Sequence, residues 1–463
     1  MSSEPQHVMV GFQGDGAGEG ELSWGQKENW ATVTIQGSWL PLGGVNFLPP
    51  TSTMDEVVGA VRYTMSRYQP LRTLVRLSPE GRPTQVVFGS GQFPLEVVDA
   101  DDTDDPSKVA EAVCDRYRSA GLDFTTEWPL RMAVVLHHGR PARMVALASH
   151  FAVDGVGLEF MAQEMATWET DPVAGTQPLA QAAWQNSPAG RRQNAAALRH
   201  WESILRTMHP RRFSTQSDVE HPRYWQGEFN SPALLWAARA ISGRTGLGTS
   251  TVMLALFATA LNTITGINPV VMRPIVGNRF RPGLDGVVCT VAQAGLCAID
   301  VADTPFDEVL QRARRAAINA YKHAYFDHED MVGLKNRIAE ERGTELEISC
   351  FINDRHVQNE MPETGMPAAD PAATATAVVA ELEDPGQPAP LGTFRWVTGQ
   401  DSPSFEPLFL KIDDIPDAIQ LNVHLDTRCV SLADAQALAL GMESIAMANA
   451  YSESARGSAT VTP

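Results

Sequence analysis

Apolar positions along the 463-residue chain fall into runs of two kinds. Short runs bounded by turn residues predict buried strands. Ala133-Val134-Val135-Leu136 and Met144-Val145-Ala146-Leu147-Ala148 flank a turn at Gly139 and read as a hairpin, and strand-like stretches also fall at 7–12, 84–88 and 95–98. Longer runs with apolar residues three or four apart predict helices. Residues 55–68 carry Val57, Val58, Val61, Tyr63 and Met65, and residues 107–119 form a second helix. A third, 249–265, is apolar enough with Met253, Leu254, Leu256, Phe257, Leu261 and Ile264 to belong inside a core. Beyond the hairpin, Val156, Phe160, Met161, Met165 and Trp168 lie close to helical spacing, and Asp154 stands where it would cap the first turn.

This alternation predicts an α/β chain of two lobes. The first spans 1–171, with a flexible Gly-rich turn at 14–20. A stretch rich in Pro, Ala and Gln opens a linker over 172–215, and the second lobe covers 216–463. Within it, residues 357–392, heavy in Pro, Ala and Thr, read as a long exposed loop.

Composition narrows the picture. An apolar content of 43% is that of an ordinary globule, and the length suffices for two cores. There is no apolar run of membrane-spanning length, and the first residues are polar and acidic, so a cytoplasmic protein is expected. A net charge of -19 opposes binding to nucleic acid or to anionic lipid. The cysteines, Cys114, Cys289, Cys297, Cys350 and Cys429, are scattered without paired metal spacing, so reduced buried thiols and no metal are expected. His323 and His328 lack a partner cluster, and His137 and His138 flank a hairpin turn in solvent.

The most informative stretch is Ser149-His150-Phe151-Ala152-Val153-Asp154-Gly155, where a strand gives way to a helix. An imidazole fixed at a strand end can hold or deprotonate an attacking nucleophile, because its ordinary pKa lies close to neutrality. The stretch resembles the His-His-x-x-x-Asp-Gly signature of the condensation domains of nonribosomal peptide synthetases and their chloramphenicol-acetyltransferase-like relatives, with Ser149 at the first histidine. Four further stretches resemble the family's other motifs in the same order. They are Leu22-Ser23-Trp24-Gly25-Gln26-Lys27-Glu28-Asn29-Trp30; Arg67-Tyr68-Gln69-Pro70-Leu71-Arg72-Thr73; Val276-Gly277-Asn278-Arg279 with Gly286-Val287-Val288-Cys289-Thr290; and Gln420-Leu421-Asn422-Val423-His424-Leu425 with Asp426.

The resemblance implies two chloramphenicol-acetyltransferase-like lobes in a V-shaped pseudodimer with an active-site tunnel between them. It implies His150 as the catalytic residue, acting as base or orienting the acceptor, and Asp154 as architecture, paired with an arginine for which Arg72 is the candidate. Gly155 and Gly157 would line the channel, where their amides near a helix N-terminus could donate to an oxyanion. No bound cofactor is implied; the donor would ride on the phosphopantetheine arm of a carrier protein, or on coenzyme A. Arg191 and Arg192 open a basic series, with Arg199, Arg206, Arg211 and Arg212, in a stretch whose one acid is Glu202, which suits docking of an acidic peptidyl or acyl carrier protein.

The activity implied is transfer of an acyl or aminoacyl group from a carrier-bound thioester to an amine or hydroxyl, giving an amide or ester in natural-product biosynthesis. No adenylation, carrier or thioesterase segment fits this length, so a stand-alone enzyme is expected. An acyl-coenzyme A-dependent acyltransferase of the same superfamily and a non-catalytic protein that recruits a carrier are the alternatives.

Overall fold

In a computed structural model, residues 6–101, 103–213, 219–356, 390–401 and 407–450 are described. The chain divides into two compact units. Unit 1 comprises residues 1–195, 277–293 and 325–330, and unit 2 comprises 196–276, 294–324 and 331–463. This division differs from the expected boundaries at 171 and 216. Two segments of the later sequence return to unit 1, and the expected linker contains two helices. The Pro/Ala-rich loop lies outside the described residues except for 390–392.

Unit 1 is built on a five-stranded sheet, β1-β6-β7-β8-β3. Its strands are β1 (Gln6–Gln13), β3 (Pro41–Phe47), β6 (Ser90–Ala100), β7 (Leu130–His137) and β8 (Arg140–Ser149). A smaller sheet of β2 (Gly18–Glu21), β4 (Thr73–Leu77) and β5 (Pro83–Val87) stands beside it. The helices are α1 (Trp24–Gln36), α2 (Met54–Arg67), α3 (Pro106–Ser119), α4 (Gly155–Thr167), α5 (Pro178–Gln185) and α6 (Pro188–Leu205), the last running across the unit boundary. Helix α2 packs its buried Val57, Val61 and Met65 with Leu95, Val97 and Val134, while α3 packs Ala110, Val113 and Tyr117 with Val135, Val145 and Leu147. The alternating strand residues thus feed two cores on opposite faces of one sheet. Gly43 in β3 is required by close approach: its φ is +118°, and a Cβ there would stand 2.2 Å from the Ala146 carbonyl oxygen.

Unit 2 carries β9 (Tyr224–Ser231), β10 (Val270–Val276), β11 (Gln293–Ala294), β12 (Cys297–Ile299), β13 (Phe351–Asp354), β14 (Thr393–Gln400), β15 (Leu408–Ile415) and β16 (Ala418–Asp426). They form one sheet in the order β11-β10-β13-β15-β16-β9-β14, with β12 also paired to β10. Helices α7 (Pro232–Thr245), α8 (Thr249–Thr265), α9 (Phe306–Lys322) and α11 (Leu432–Ala450) cover it, and α10 (His328–Arg342), whose first three residues belong to unit 1, follows α9. The apolar helix expected at 249–265 is α8, buried as anticipated at Met253, Leu254, Leu256, Phe257 and Leu261. No single described helix is long and apolar enough to cross a membrane.

The two units repeat one topology. In unit 1, β6 runs parallel to β7, β7 antiparallel to β8, and β8 antiparallel to β3; β13, β15, β16 and β9 repeat that sequence of pairings. The repetition extends to single hydrogen bonds. At the end of β8 the Ser149 amide donates to the Pro129 carbonyl at 2.9 Å and the His150 amide to the Leu40 carbonyl at 2.9 Å. At the end of β16 the Asp426 amide donates to Pro407 and the Thr427 amide to Arg223, both at 3.1 Å. By this pattern Thr427 occupies in unit 2 the place that His150 occupies in unit 1, so the catalytic candidate is found in one copy of the repeat.

His424 on β16 is buried, and burial, followed by the Lys411 charge, pushes its pKa down to about 3. A histidine held neutral in the fold but free to protonate near 6.5 when unfolded makes the unfolded state bind the extra proton between those values, so stability falls as pH drops through that window. We expect His424→Gln to flatten this acid-side loss, measured as urea midpoints between pH 7 and pH 4; an unchanged slope would contradict the assignment.

Candidate active site

The hydrogen-bonded end of β8 determines where His150 stands. Ser149, fully buried, donates its hydroxyl to the Trp39 carbonyl at 2.6 Å and accepts from the Phe151 amide at 3.2 Å. The serine at this motif position therefore staples the turn to the segment leading into β3. Phe151, also fully buried, packs edge-on against Trp30 and Phe124. With its neighbours fixed on both sides, the His150 backbone is held at the strand end and its side chain is half-buried. Its Nδ1 is buried and makes no hydrogen bond among the described residues.

Asp154 ends the turn and caps α4, accepting from the Gly157 amide at 2.9 Å. Its other partners come from residues 277–293. Arg279 grips the carboxylate with two nitrogens, Nη2 to Oδ1 at 2.7 Å and Nη1 to Oδ2 at 3.0 Å, and the Val291 and Ala292 amides donate to Oδ2 at 3.0 and 3.1 Å. The side chains of this pair are only 3% and 10% exposed, so the bidentate geometry and the amides that fill the remaining carboxylate lone pairs are what make the buried charge tolerable. No bond joins Asp154 to His150, and the carboxylate is committed to holding backbone rather than to polarising the imidazole.

The expected partner, Arg72, is not used. It is 1% exposed and donates to the Phe88 carbonyl at 2.5 Å and to the Asp15 carbonyl, fastening the Gly-rich turn to the end of β5. Its place in the short sequence motif suggests Asp154; in the fold its guanidinium serves the Asp15 and Phe88 carbonyls instead. In the sequence Arg279 stands in the 276–279 motif with no side-chain role implied. It stands 125 residues from Asp154, and nothing in the local pattern of either segment marks the pairing.

Residues 287–292 are held from several sides. Arg279 also donates to the Val287 and Cys289 carbonyls, Asn278 to the Val291 carbonyl at 2.9 Å, and Asn29 to the Thr290 hydroxyl at 3.0 Å. The Cys289 thiol, fully enclosed, is pushed up to about 12 by burial first and by the Asp154 charge second, so it is no nucleophile at neutral pH. Of the two glycines, Gly157 is excluded as an oxyanion donor because its amide already serves Asp154. A Cβ on it would lie 2.7 Å from Val153 Cγ2, so its smallness serves packing. Gly155 is exposed and faces open space, and its amide and that of Val156, in the first turn of α4, make no hydrogen bond among the described residues. The sequence marks Val156 only as an apolar position of the helix; its main-chain amide carries no side-chain signal.

Elsewhere, Arg191 and Arg192 lie exposed near the start of α6, as does Arg199 further along. Arg206 is engaged by Glu202 and Glu341, and Arg212 is buried, so the basic face is shorter than the sequence suggested. Four of the cysteines are buried and all are unpaired, and no group of metal-ligating side chains forms among the described residues.

Comparisons with known proteins agree with this geometry. The condensation-domain family profile matches residues 48–370. Cyclosporin synthetase of Tolypocladium inflatum is 23% identical over 335 residues, 67% of this chain, and isonitrile lipopeptide synthase of Mycobacterium tuberculosis is 24% identical over 301 residues, 60% of this chain. The chain spans about 2% and 12% of those relatives' lengths. Among solved structures, the condensation domain for chain release from the enacyloxin polyketide synthase superposes with a TM-score of 0.68 at 20% identity, covering 96% of this chain and 85% of that one. The SgcC5 protein from Streptomyces globisporus gives 0.66 at 17%, covering 93% and 99%, and the X-domain from teicoplanin biosynthesis gives 0.66 at 15%, covering 92% and 94%.

Removing one partner of the buried pair should be costly. Asp154→Ala and Arg279→Ala are each expected to lose roughly 3–5 kcal/mol of stability, with the double variant losing much less than the sum. Equilibrium denaturation of the four proteins checks this, and additive losses would show that the pair is not coupled. The repeated mixed-sheet units, the ordered motifs and the family match over most of the sequence make this chain a member of the condensation-domain family, with the chloramphenicol-acetyltransferase-like fold.

Proposed function

We propose that the protein transfers an acyl or aminoacyl group from a carrier-bound phosphopantetheine thioester to an amine or hydroxyl acceptor, with His150 as the reacting side chain. The observation that carries this reading is the placement of His150: a half-buried imidazole on backbone fixed at a strand end, with Nδ1 buried and without a hydrogen bond among the described residues. The acceptor's nitrogen or oxygen attacks the thioester carbonyl, a bond from that atom to carbon forms, and the carbon–sulfur bond breaks. The acceptor's proton goes to the departing thiolate, directly or through Nε2.

Among the described residues no carboxylate bonds Nδ1, so there the ring lacks the pairing that stabilises an imidazolium in an acid–imidazole–nucleophile triad. That supports a hydrogen-bonding or transient proton-carrying role for Nε2, combined with confinement of donor and acceptor. The Gly155 and Val156 amides supply positive dipole at the start of α4 for the developing oxyanion. Asp154 and Arg279 hold the framework. A donor carried on coenzyme A presents the same pantetheine arm, and a donor-swap assay separates the two.

His150→Ala should remain folded and transfer about a hundredfold or more slowly, since acid–base assistance is typically worth that much. Intact-protein mass spectrometry with acyl-loaded carriers, acyl-N-acetylcysteamine thioesters and a panel of amines and alcohols reads this out, and wild-type turnover would refute the assignment. Arg191 and Arg192 are proposed to dock the acidic carrier. Reversing both charges should raise KM for the carrier-bound donor and leave the small thioester unaffected; equal loss with both donors would remove the docking assignment.

A further inference from the structure

We infer that Glu164 is a positioning residue for the reaction, setting the attitude of α4 and thereby the placement of the His150 turn. The inference rests on the reading of His150 as the reacting group. Helix α4 is unusual for a segment that carries a candidate site at its head: of its residues only Gly157 is buried. Val156, Leu158, Phe160, Met161 and Met165 are half-buried, so core packing alone does not wedge the helix in one orientation. Polar ties at its two ends take that part.

At the head, the tie is Asp154 with Arg279. At the tail it is Glu164. One oxygen, Oε2, accepts both from Arg67 Nε at 2.6 Å and from the Tyr68 hydroxyl at 2.8 Å. The side chains of Arg67 and Glu164 are 9% and 18% exposed, and Tyr68 is fully enclosed. Burial, with the Glu164 charge adding to it, drives the Tyr68 phenol far above its ordinary range, so it is a permanent donor in need of an acceptor. Arg67 also donates through Nη1 to the Asp171 carbonyl at 2.7 Å, and Trp168 packs edge-on against Tyr63 at 5.4 Å between ring centres. All these partners sit on α2 or directly after it, in the Arg67-Tyr68 half of a motif whose Arg72 half serves the Gly-rich turn.

The geometry makes the tail consequential for the head. Glu164 lies nine residues beyond Gly155, about 14 Å along a helix rising ~1.5 Å per residue. Releasing it lets α4 pivot about the Asp154 tie: a tilt of roughly 5° carries the tail by about 1 Å over that length, and at the head it turns the first-turn amides and the adjoining His150 turn through the same angle, away from the orientation the reaction needs. The Gly155 and Val156 amides and the turn that carries His150 adjoin the pivot. Substrate capture by surfaces away from α4 is unaffected, so the effect falls on the chemical step.

The test compares wild type, Glu164→Ala, Glu164→Gln and Tyr68→Phe in the full chain. It measures kcat and KM with an acyl-N-acetylcysteamine thioester and its best amine or alcohol acceptor, the melting temperature, and amide hydrogen exchange of residues 158–163. Glu164→Ala is expected to stay folded, lose about tenfold in kcat with KM within twofold, and exchange faster in α4. Glu164→Gln, which can still accept from Tyr68, recovers part of both. If Glu164→Ala does not fold, Tyr68→Phe must move kcat and exchange in the same direction. Unchanged exchange in α4, or accelerated exchange with wild-type kcat, overturns the inference. Should His150→Ala itself retain full turnover, the functional reading fails, and the exchange data still decide whether Glu164 holds the helix.

Discussion

One buried carboxylate organises the site. Asp154 accepts from an arginine twice, from two amides of residues 291–292 and from the amide of its own helix, and every other feature of the active region is arranged around that concentration of donors. An ionised carboxylate away from water is sustained only when its lone pairs are filled, and here they are filled by groups from three separate stretches of chain. The same bonds that satisfy the charge therefore fix the end of β8, the start of α4 and residues 277–293 relative to one another, all within unit 1. His150 gains a defined position without touching the carboxylate.

The repeat of topology between the units shows what was specialised. Both sheets end a central antiparallel strand in the same pair of main-chain hydrogen bonds, and both follow it with a helix. In unit 1 that junction holds Ser149 and His150; in unit 2 it holds Asp426 and Thr427, with Asp426 engaged by Arg223. The fold supplies a rigid strand end twice, and a titratable ring stands at one of them.

Periodicity made much of this legible. The β7–β8 hairpin, α2, α3 and α8 follow directly from apolar spacing, because each buries one face or, for α8, nearly its whole surface. Helix α1 was not read as a helix because only its first three residues are buried and no apolar stripe forms. Strand β3, with adjacent glycines at 43 and 44 and lying at a sheet edge, has a single β-branched residue, Val45, too few to mark a strand. Helices α5 and α6 were hidden by an Ala- and Gln-rich composition that reads equally as linker. Within the site, His150 and Asp154 announced themselves by spacing. The Arg279 pairing did not, since a contact between distant segments is set by tertiary packing, and Arg72 was the candidate because it stands within the Leu-Arg-Thr match of the family resemblance.

The central claim is that the chemistry belongs to the His150 imidazole while Asp154 maintains the framework. Chemical rescue tests it most directly, by measuring acyl transfer in His150→Gly with and without added imidazole. The account predicts a slow variant whose rate rises saturably with imidazole. A variant that turns over at the wild-type rate with no imidazole present would contradict it.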